Sequence, residues 1–224
     1  MYKLKKAFTL AEVLITLLII GFIASLTIPG IISNTNEAEY NAGIKKVYSD
    51  LSNALALIQA NRNGRVAVGN GSYPPDTWKA FRNDFCNVMS CIKADTGPAV
   101  FGNTVYKYYK NTSGDKLYQA TNIDSSAILN NGILLYFSSL DNCTYFGVNA
   151  CGSIDVDING PKGPNMWGKD TYLFYVTHQS ENGTYEVIPA GISGDGSSCS
   201  ATNSTFNTSV GCTAQRLTDP SSMP

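Results

Sequence analysis

The feature that most constrains this chain is an apolar run over residues 8–32, which contains a single charged side chain, Glu12. Residues 13–32 carry no charge at all. Twenty helical residues extend about 30 Å, which matches the hydrocarbon core of a bilayer. Three of the first six residues are lysines, and basic residues before such a run hold that end in the cytoplasm. We therefore predict a single-pass membrane protein whose remaining residues face outward.

A secretory signal peptide is the simplest alternative, and it fits poorly. The apolar region of a signal peptide is about 7–15 residues long and is followed by a cleavage site of small residues. Here the run is longer, and a Pro29-Gly30 pair lies near its end. A carboxylate such as Glu12 costs about 2.5–3.5 kcal/mol in the membrane centre, so it usually has a partner. No cation lies within the run, so that partner must come from elsewhere, or the group lies near the interface.

The segment KKAFTLAEVL, residues 5–14, resembles the cleavage and methylation segment of type IV pilins and type II secretion pseudopilins. The resemblance implies that a prepilin peptidase cuts between Ala7 and Phe8 and that the new amine of Phe8 is methylated. It also implies that Glu12, the fifth residue of the mature chain, neutralises this amine on a neighbouring subunit. The family usually has Gly before the cut, so Ala7 predicts slower cleavage.

The same resemblance implies a filament subunit and its partners. Gly21 and Pro29 stand where many filament-forming relatives carry residues that weaken the helix during assembly. The implied partners are the prepilin peptidase, identical or related pilin subunits and an inner-membrane assembly platform. The implied location is the bacterial inner membrane, with the N-terminus inside, followed by an extracytoplasmic filament. Secretion, pilus and competence systems share this segment, so it does not distinguish among them.

Beyond Pro29 the apolar residues become periodic, which predicts an amphipathic helix half. Its stripe is Tyr40, Ile44, Val47, Leu51, Leu55 and Ile58. We predict one helix over about residues 8–60, bent at Pro29. The predicted organisation is a leader (1–7), an assembly helix (8–32), an amphipathic half (33–60) and an outer globular domain (61–224).

The outer domain is predicted to be α+β, with an antiparallel meander against the helix stripe. A short helix is expected over 76–89, with Trp78, Phe81, Phe85 and Met89 in the core. Strands are expected over 132–137, 144–148, 153–158, 171–177 and 184–188, separated by turn residues. We expect the meander to have one apolar face, and residues 191–224 to be irregular. The architecture is also similar to that of pilin globular domains.

Six cysteines lie beyond the membrane segment: Cys86, Cys91, Cys143, Cys151, Cys199 and Cys212. Their spacing does not fit zinc, and on the outer side of a membrane they predict disulfides that staple loops. Fifteen pairings exist, and the sequence cannot choose among them. Proximity alone favours the three successive pairs.

Asp155, Asp157 and Asn159 form the first half of an EF-hand-type pattern, D-x-D-x-N-G. Alternating oxygens before a glycine turn suit calcium, but position twelve is Met166 rather than Glu. A solvated hairpin explains the same alternation and is the favoured interpretation, with calcium as the alternative cofactor. The longer run through Asp170 also resembles a stretch of pseudopilin-like proteins, some of which bind calcium in this domain.

Composition excludes several functions. Lys and Arg (16) nearly balance Asp and Glu (17), so no basic surface for nucleic acid is expected. The single histidine, His178, and the lack of catalytic motifs predict that the protein is not an enzyme. The remaining alternative to a filament subunit is a signal-anchored extracytoplasmic binding module that does not polymerise.

Overall fold

A computed structural model describes most of the chain from Phe8 onward. The described residues are 8–68, 77–96, 109–110, 116–118, 125–140, 143, 147–160, 162–179, 183–192, 194–200 and 209–220. The chain divides into two compact units, Met1–Glu39 and Tyr40–Pro224, and each is described by itself.

A long helix, α1 (Leu10–Asn61), confirms the helix predicted over 8–60. The helix is continuous through Pro29. Its first half belongs to the first unit and its second half to the second. In the second unit the whole predicted stripe, from Tyr40 to Ile58, is buried. The ring of Tyr48 stacks on that of Phe174 at a centroid distance of 5.9 Å, so this half of α1 packs on a strand of the sheet.

The second helix, α2 (Thr77–Met89), confirms the helix predicted over 76–89. Phe81 and Phe85 are fully buried, and their ring centroids lie 5.4 Å and 5.7 Å from that of Phe137. Met89 is partly buried against the same core. The side chain of Trp78, also predicted in this core, lies outside the described set. Aromatic burial at helical spacing therefore holds α2 on the sheet.

Eight strands follow in the described residues: β1 (Cys91–Thr96), β2 (Tyr109–Lys110), β3 (Lys116–Tyr118), β4 (Ser125–Leu129), β5 (Leu134–Ser139), β6 (Ala150–Asp157), β7 (Thr171–Gln179) and β8 (Thr184–Pro189). Strands β2 and β3 pair with each other. The other six form one sheet in the order β1-β4-β5-β6-β7-β8. Every pairing in it is antiparallel, and β4 to β8 are successive neighbours, which confirms the predicted meander.

Two predictions of secondary structure are wrong, one for residues 144–148 and one for the C-terminal stretch. The strand expected over 144–148 is absent from its described residues, because 147–149 form a turn and β6 begins at Ala150. Gly147 and Asn149 have positive φ angles, which break an extended strand. The C-terminal stretch is not wholly irregular, since it contains a short helix, α3 (Cys212–Thr218).

The sheet is apolar on both faces, whereas one apolar face was predicted. One face packs against α1 and α2 through residues such as Ile154, Val156 and Phe174. The opposite face carries a second cluster that includes Leu173 and Tyr175. Trp167, from the connection between β6 and β7, and segments near α3 complete that cluster. The fold is α+β, as predicted, but both faces of the sheet are covered rather than one.

Candidate functional site

The first functional feature is the apolar half of α1. The segment Leu10–Pro29 is long and apolar enough to cross a membrane, and none of it is buried. The exposed large apolar side chains from Phe8 to Ile31 are Phe8, Leu10, Val13, Leu14, Ile15, Leu17, Leu18, Ile19, Ile20, Phe22, Ile23, Leu26, Ile28 and Ile31. A surface of this extent requires lipid or other apolar helices as its neighbours.

Glu12 forms a capping box with Thr9 at the start of this helix. The backbone N–H and the hydroxyl of Thr9 both donate to Glu12 Oε2 at 2.9 Å, and the Glu12 N–H donates to Thr9 Oγ1 at 3.3 Å. This exchange satisfies backbone donors that a helix N-terminus leaves open. The Thr9-x-x-Glu12 spacing in the sequence is the signal of this capping box.

The other predicted assembly residues lie along the same helix. Phe8 is 86% exposed and precedes the first helical residue by two positions. Apart from its chain neighbours and the backbone of its own helix, no atom lies within 4 Å of a Cβ built on Gly21, so space alone does not require glycine there. Ala7, on the other side of the predicted cut, lies outside the described residues.

The second feature is the connection between β6 and β7, residues 158–170. Asp157 ends β6, and its cross-strand partner is Thr171, so the two side chains lie on one face of the sheet. Asp155 pairs with Tyr136 and Leu173, beside the second apolar cluster. Burial raises the pKa of the Asp155 carboxyl to about 7. Asp155 lies two residues before Asp157 on β6, on the same face of the sheet.

Asp170 is the carboxylate whose charge acts on Asp157. Its Oδ1 accepts a hydrogen bond from the Met166 N–H at 2.6 Å. Its Oδ2 accepts from the Asn165 N–H at 2.8 Å and from Asn159 Nδ2 at 3.2 Å. Asp157 Oδ1 accepts from the Asn159 N–H at 3.3 Å. Burial first, and then the charge of Asp170, raise the pKa of Asp157 well above its ordinary value.

Four buried side-chain oxygens of this region, one of them on Asp157 itself, have no hydrogen-bond partner in the part of the chain that the structure describes. They are Asp157 Oδ2, Asn159 Oδ1, Asn165 Oδ1 and Thr171 Oγ1. Asp157, Asp170 and Thr171 are each fully buried. Asp157 and Asn159 belong to the D-x-D-x-N-G pattern, and Asn165 and Asp170 fall within the longer run that resembles pseudopilin-like proteins. Thr171 was not predicted to take part, because it lies outside both patterns.

The comparison with protein families identifies the N-terminal feature. Residues 2–28 match the prokaryotic N-terminal methylation motif, the prepilin-type segment of type IV pilins and pseudopilins. The chain carries a prepilin-type N-terminus. No curated protein and no solved structure significantly matches the chain. The prepilin-type N-terminus supports a pilin-like or pseudopilin precursor, and its apolar helix fits a membrane-anchored protein.

The domain predicted over residues 61–224 contains three disulfides among its described residues. They join Cys86 to Cys91, Cys143 to Cys151 and Cys199 to Cys212. This is the pairing of successive cysteines that proximity favours. The first bond links the end of α2 to β1, and the third ties the segment before α3 to its first residue, so each fastens a local connection.

His178 lies on β7 and pairs across strands with Tyr185 on β8. The centroids of their rings are 4.8 Å apart. Among the described residues, no group of three or more His, Cys, Asp or Glu side chains is arranged to hold a metal ion. A cation at the β6–β7 connection would therefore depend on amide and hydroxyl oxygens in addition to Asp157 and Asp170.

Proposed function

We propose that the protein is a structural subunit of a type IV pilus-like or type II secretion pseudopilus filament. The observation that carries this proposal is the prepilin-type motif over residues 2–28, on a helix whose apolar side chains are exposed. Such side chains are stable in lipid before assembly and against the equivalent helices of other subunits afterwards. One surface thus serves as membrane anchor and as assembly element.

The proposed maturation begins at the cytoplasmic end of this helix. The lysines before Phe8 hold that end inside, where a prepilin peptidase cuts between Ala7 and Phe8. The exposure of Phe8 and its position before the first helical turn support its access to the peptidase and to methylation. The assembly platform of the inner membrane then moves the subunit into a filament with identical or related pilin subunits.

Glu12 is the proposed register residue of the filament. The capping box uses its Oε2, while Oε1 accepts no hydrogen bond from the described residues. We infer that Oε1 accepts from the Phe8 amine of a neighbouring subunit. Two groups that are each costly to place in an apolar environment then form one pair. Thr9 holds the carboxylate in place before the neighbour arrives.

The outer domain carries the filament's exposed surface. Its three disulfides suit an oxidising compartment outside the cytoplasm, which agrees with the proposed orientation. The methylation motif is typical of structural subunits rather than enzymes, and we assign no reaction to the protein.

The proposal is tested with Glu12→Gln in cells that contain the native assembly machinery. Glutamine keeps the capping hydrogen bonds but removes the charge. We expect normal membrane insertion, measured by carbonate extraction, and loss of the subunit from the sheared filament fraction. Glu39→Gln is the matched control, because Glu39 is an exposed carboxylate on the same helix outside the apolar segment. The control should enter filaments normally, and equal incorporation of both variants would contradict the role of Glu12.

A further inference from the structure

The large sheet has two edge strands, β1 and β8. The outer edge of such a strand presents backbone N–H and C=O groups that can pair with a strand of another chain. Proteins limit this pairing with bulges, prolines, charged side chains or a covering element. Both edges of this sheet carry such protection, and on β8 it comes from a side chain of α1.

Gln59 of α1 makes two hydrogen bonds to the backbone of one β8 residue, Tyr185. The Tyr185 N–H donates to Gln59 Oε1 at 2.7 Å, and Gln59 Nε2 donates to the Tyr185 carbonyl at 2.9 Å. In an antiparallel pair the N–H and C=O of one residue point to the same side of the strand, and successive residues alternate. Because both groups of Tyr185 bond to Gln59, they point away from β7. The Gln59 amide thus makes the two bonds that a residue of an added strand would make.

The β8 edge offers few other backbone groups beside this contact. By the same alternation, the next groups on the outer edge belong to Val187, whose side chain is buried, and then to Pro189, which has no N–H. Gln59 directly follows Ile58, the last buried residue of the α1 stripe, so helix packing holds the amide at this edge. Loss of the amide would leave two outward-facing N–H groups, those of Tyr185 and Val187.

The opposite edge, β1, is protected without Gln59. Its pairing with β4 has an irregularity of the bulge type between Cys91 and Lys93, and bulges disrupt the ladder and twist an edge strand. Arg82 Nη1, from α2, also donates to the Asp95 carbonyl at 2.6 Å. Loss of the Gln59 contact therefore opens the β8 edge alone, and the partner that an opened β8 edge fits is the β8 edge of a second copy.

We propose that Gln59 is an edge guard, whose side-chain amide keeps β8 from pairing with β8 of a second copy. Two such edges form an isologous antiparallel pair, because each copy contributes the same strand. The assembly therefore closes at two copies. The guard is a contact within the second unit and acts whether or not the subunits form filaments, so this proposal and the proposed function can fail independently.

The test compares Gln59→Leu with the wild type as full chains in detergent micelles, with micelles in large excess over protein. Leucine has a helix propensity close to that of glutamine, but its side chain makes no hydrogen bonds. Protein mass is measured by sedimentation equilibrium in density-matched detergent over a range of concentrations. We expect the wild-type mass to stay constant and the mass of Gln59→Leu to double at the highest concentrations. Asn53→Leu adds the same side chain at an exposed position of α1, and this matched control should behave like the wild type.

Hydrogen exchange distinguishes edge pairing from a simple loss of stability. Deuterium uptake is measured by mass spectrometry in peptides that cover β8 and β1, at low and high protein concentrations. In dilute Gln59→Leu, β8 should exchange faster than in the wild type, because the Tyr185 N–H has lost its acceptor. At high concentration β8 should exchange more slowly, while β1 should not change.

Each contrary result overturns a defined part of the proposal. A mass of Gln59→Leu that does not depend on concentration would overturn the guard. A doubled mass without slower exchange in β8 would show association through another surface and would also overturn it. Slower exchange in β1 as well, with masses above that of two copies, would overturn the assigned partner strand.

Discussion

The packing of α1 against the sheet predicts that two leucines of one helix have very different effects on stability. Leu51 is fully buried in the core between α1 and the sheet, while Leu57, six residues later, is 53% exposed. Both are replaced by alanine, so the change in helix propensity is the same at each position. The difference between the variants therefore measures the contribution of burial on this face of α1.

The expected magnitudes follow from burial. Truncation of a fully buried leucine to alanine costs about 2–5 kcal/mol, and the complete burial of Leu51 favours about 3–4 kcal/mol. Leu57 keeps roughly half of its surface in solvent, so Leu57→Ala should cost about 1 kcal/mol or less. The two variants should differ by at least about 2 kcal/mol in the free energy of unfolding.

The assay is urea unfolding of the full chain in detergent micelles, followed by tryptophan fluorescence. With a urea dependence of about 2 kcal/mol per molar, Leu51→Ala should lower the midpoint by about 1.5–2 M, and Leu57→Ala by about 0.5 M or less. The wild type measured at the same detergent concentration is the reference. Equal midpoints for the two variants would refute the assignment of the buried stripe.

Three further predictions concern the links that hold the outer domain together. Gln59 accepts from the Tyr185 N–H at 2.7 Å and donates to its carbonyl at 2.9 Å, so Gln59→Ala should cost about 1–3 kcal/mol of unfolding free energy in the same urea assay. Replacing Cys199 and Cys212 by serine should cost about 3 kcal/mol, by loop-closure entropy, and calorimetry in non-reducing buffer would measure it. Burial raises the pKa of Asp84 above 3.8, so the folded state holds this proton to higher pH than the unfolded state. Its contribution to stability therefore falls as pH rises above 3.8 and through the raised pKa of the folded state, and Asp84→Asn should remove that part of the decline. An unchanged pH dependence in the variant would contradict this account.

The elements that the sequence predicted well have strong periodicity. The stripe from Tyr40 to Ile58 and the aromatic spacing of α2 reflect burial on one side of a helix, which a 3.6-residue period reveals. Most of the meander also follows from β-branched and aromatic runs separated by turn residues. For each of these elements, the local pattern and the tertiary environment favour the same structure.

Four strands, β1 to β4, were not predicted, and two of them, β1 and β4, show why. Every residue of β4 is buried, and its sequence SSAIL shows no alternation of polar and apolar residues. A strand buried on both faces has no period of two to recognise. A single residue, Ser90, separates the end of α2 from the start of β1. Its φ of 58° is a conformation that the sequence does not indicate.

The oxygen cluster of the β6–β7 connection required tertiary information for a different reason. Asp157 and Asp170 are far apart along the chain but close in space because β6 and β7 pair with Asp157 opposite Thr171. Register of this kind depends on the whole sheet, and a linear motif search cannot find it. The prepilin-type N-terminus is the opposite case, since all of its residues are consecutive and its chemistry is local.

Cleavage before Phe8 and methylation of its amine both change the mass of the N-terminal peptide, so mass spectrometry detects whether the chain is processed as a filament subunit. The protein is purified from its native membranes, and its intact mass and N-terminal peptide are measured. The proposed function predicts a chain that begins at Phe8 with a methyl group on the amine. A chain that keeps residues 1–7 in cells with an active prepilin peptidase would contradict it and favour a signal-anchored binding module.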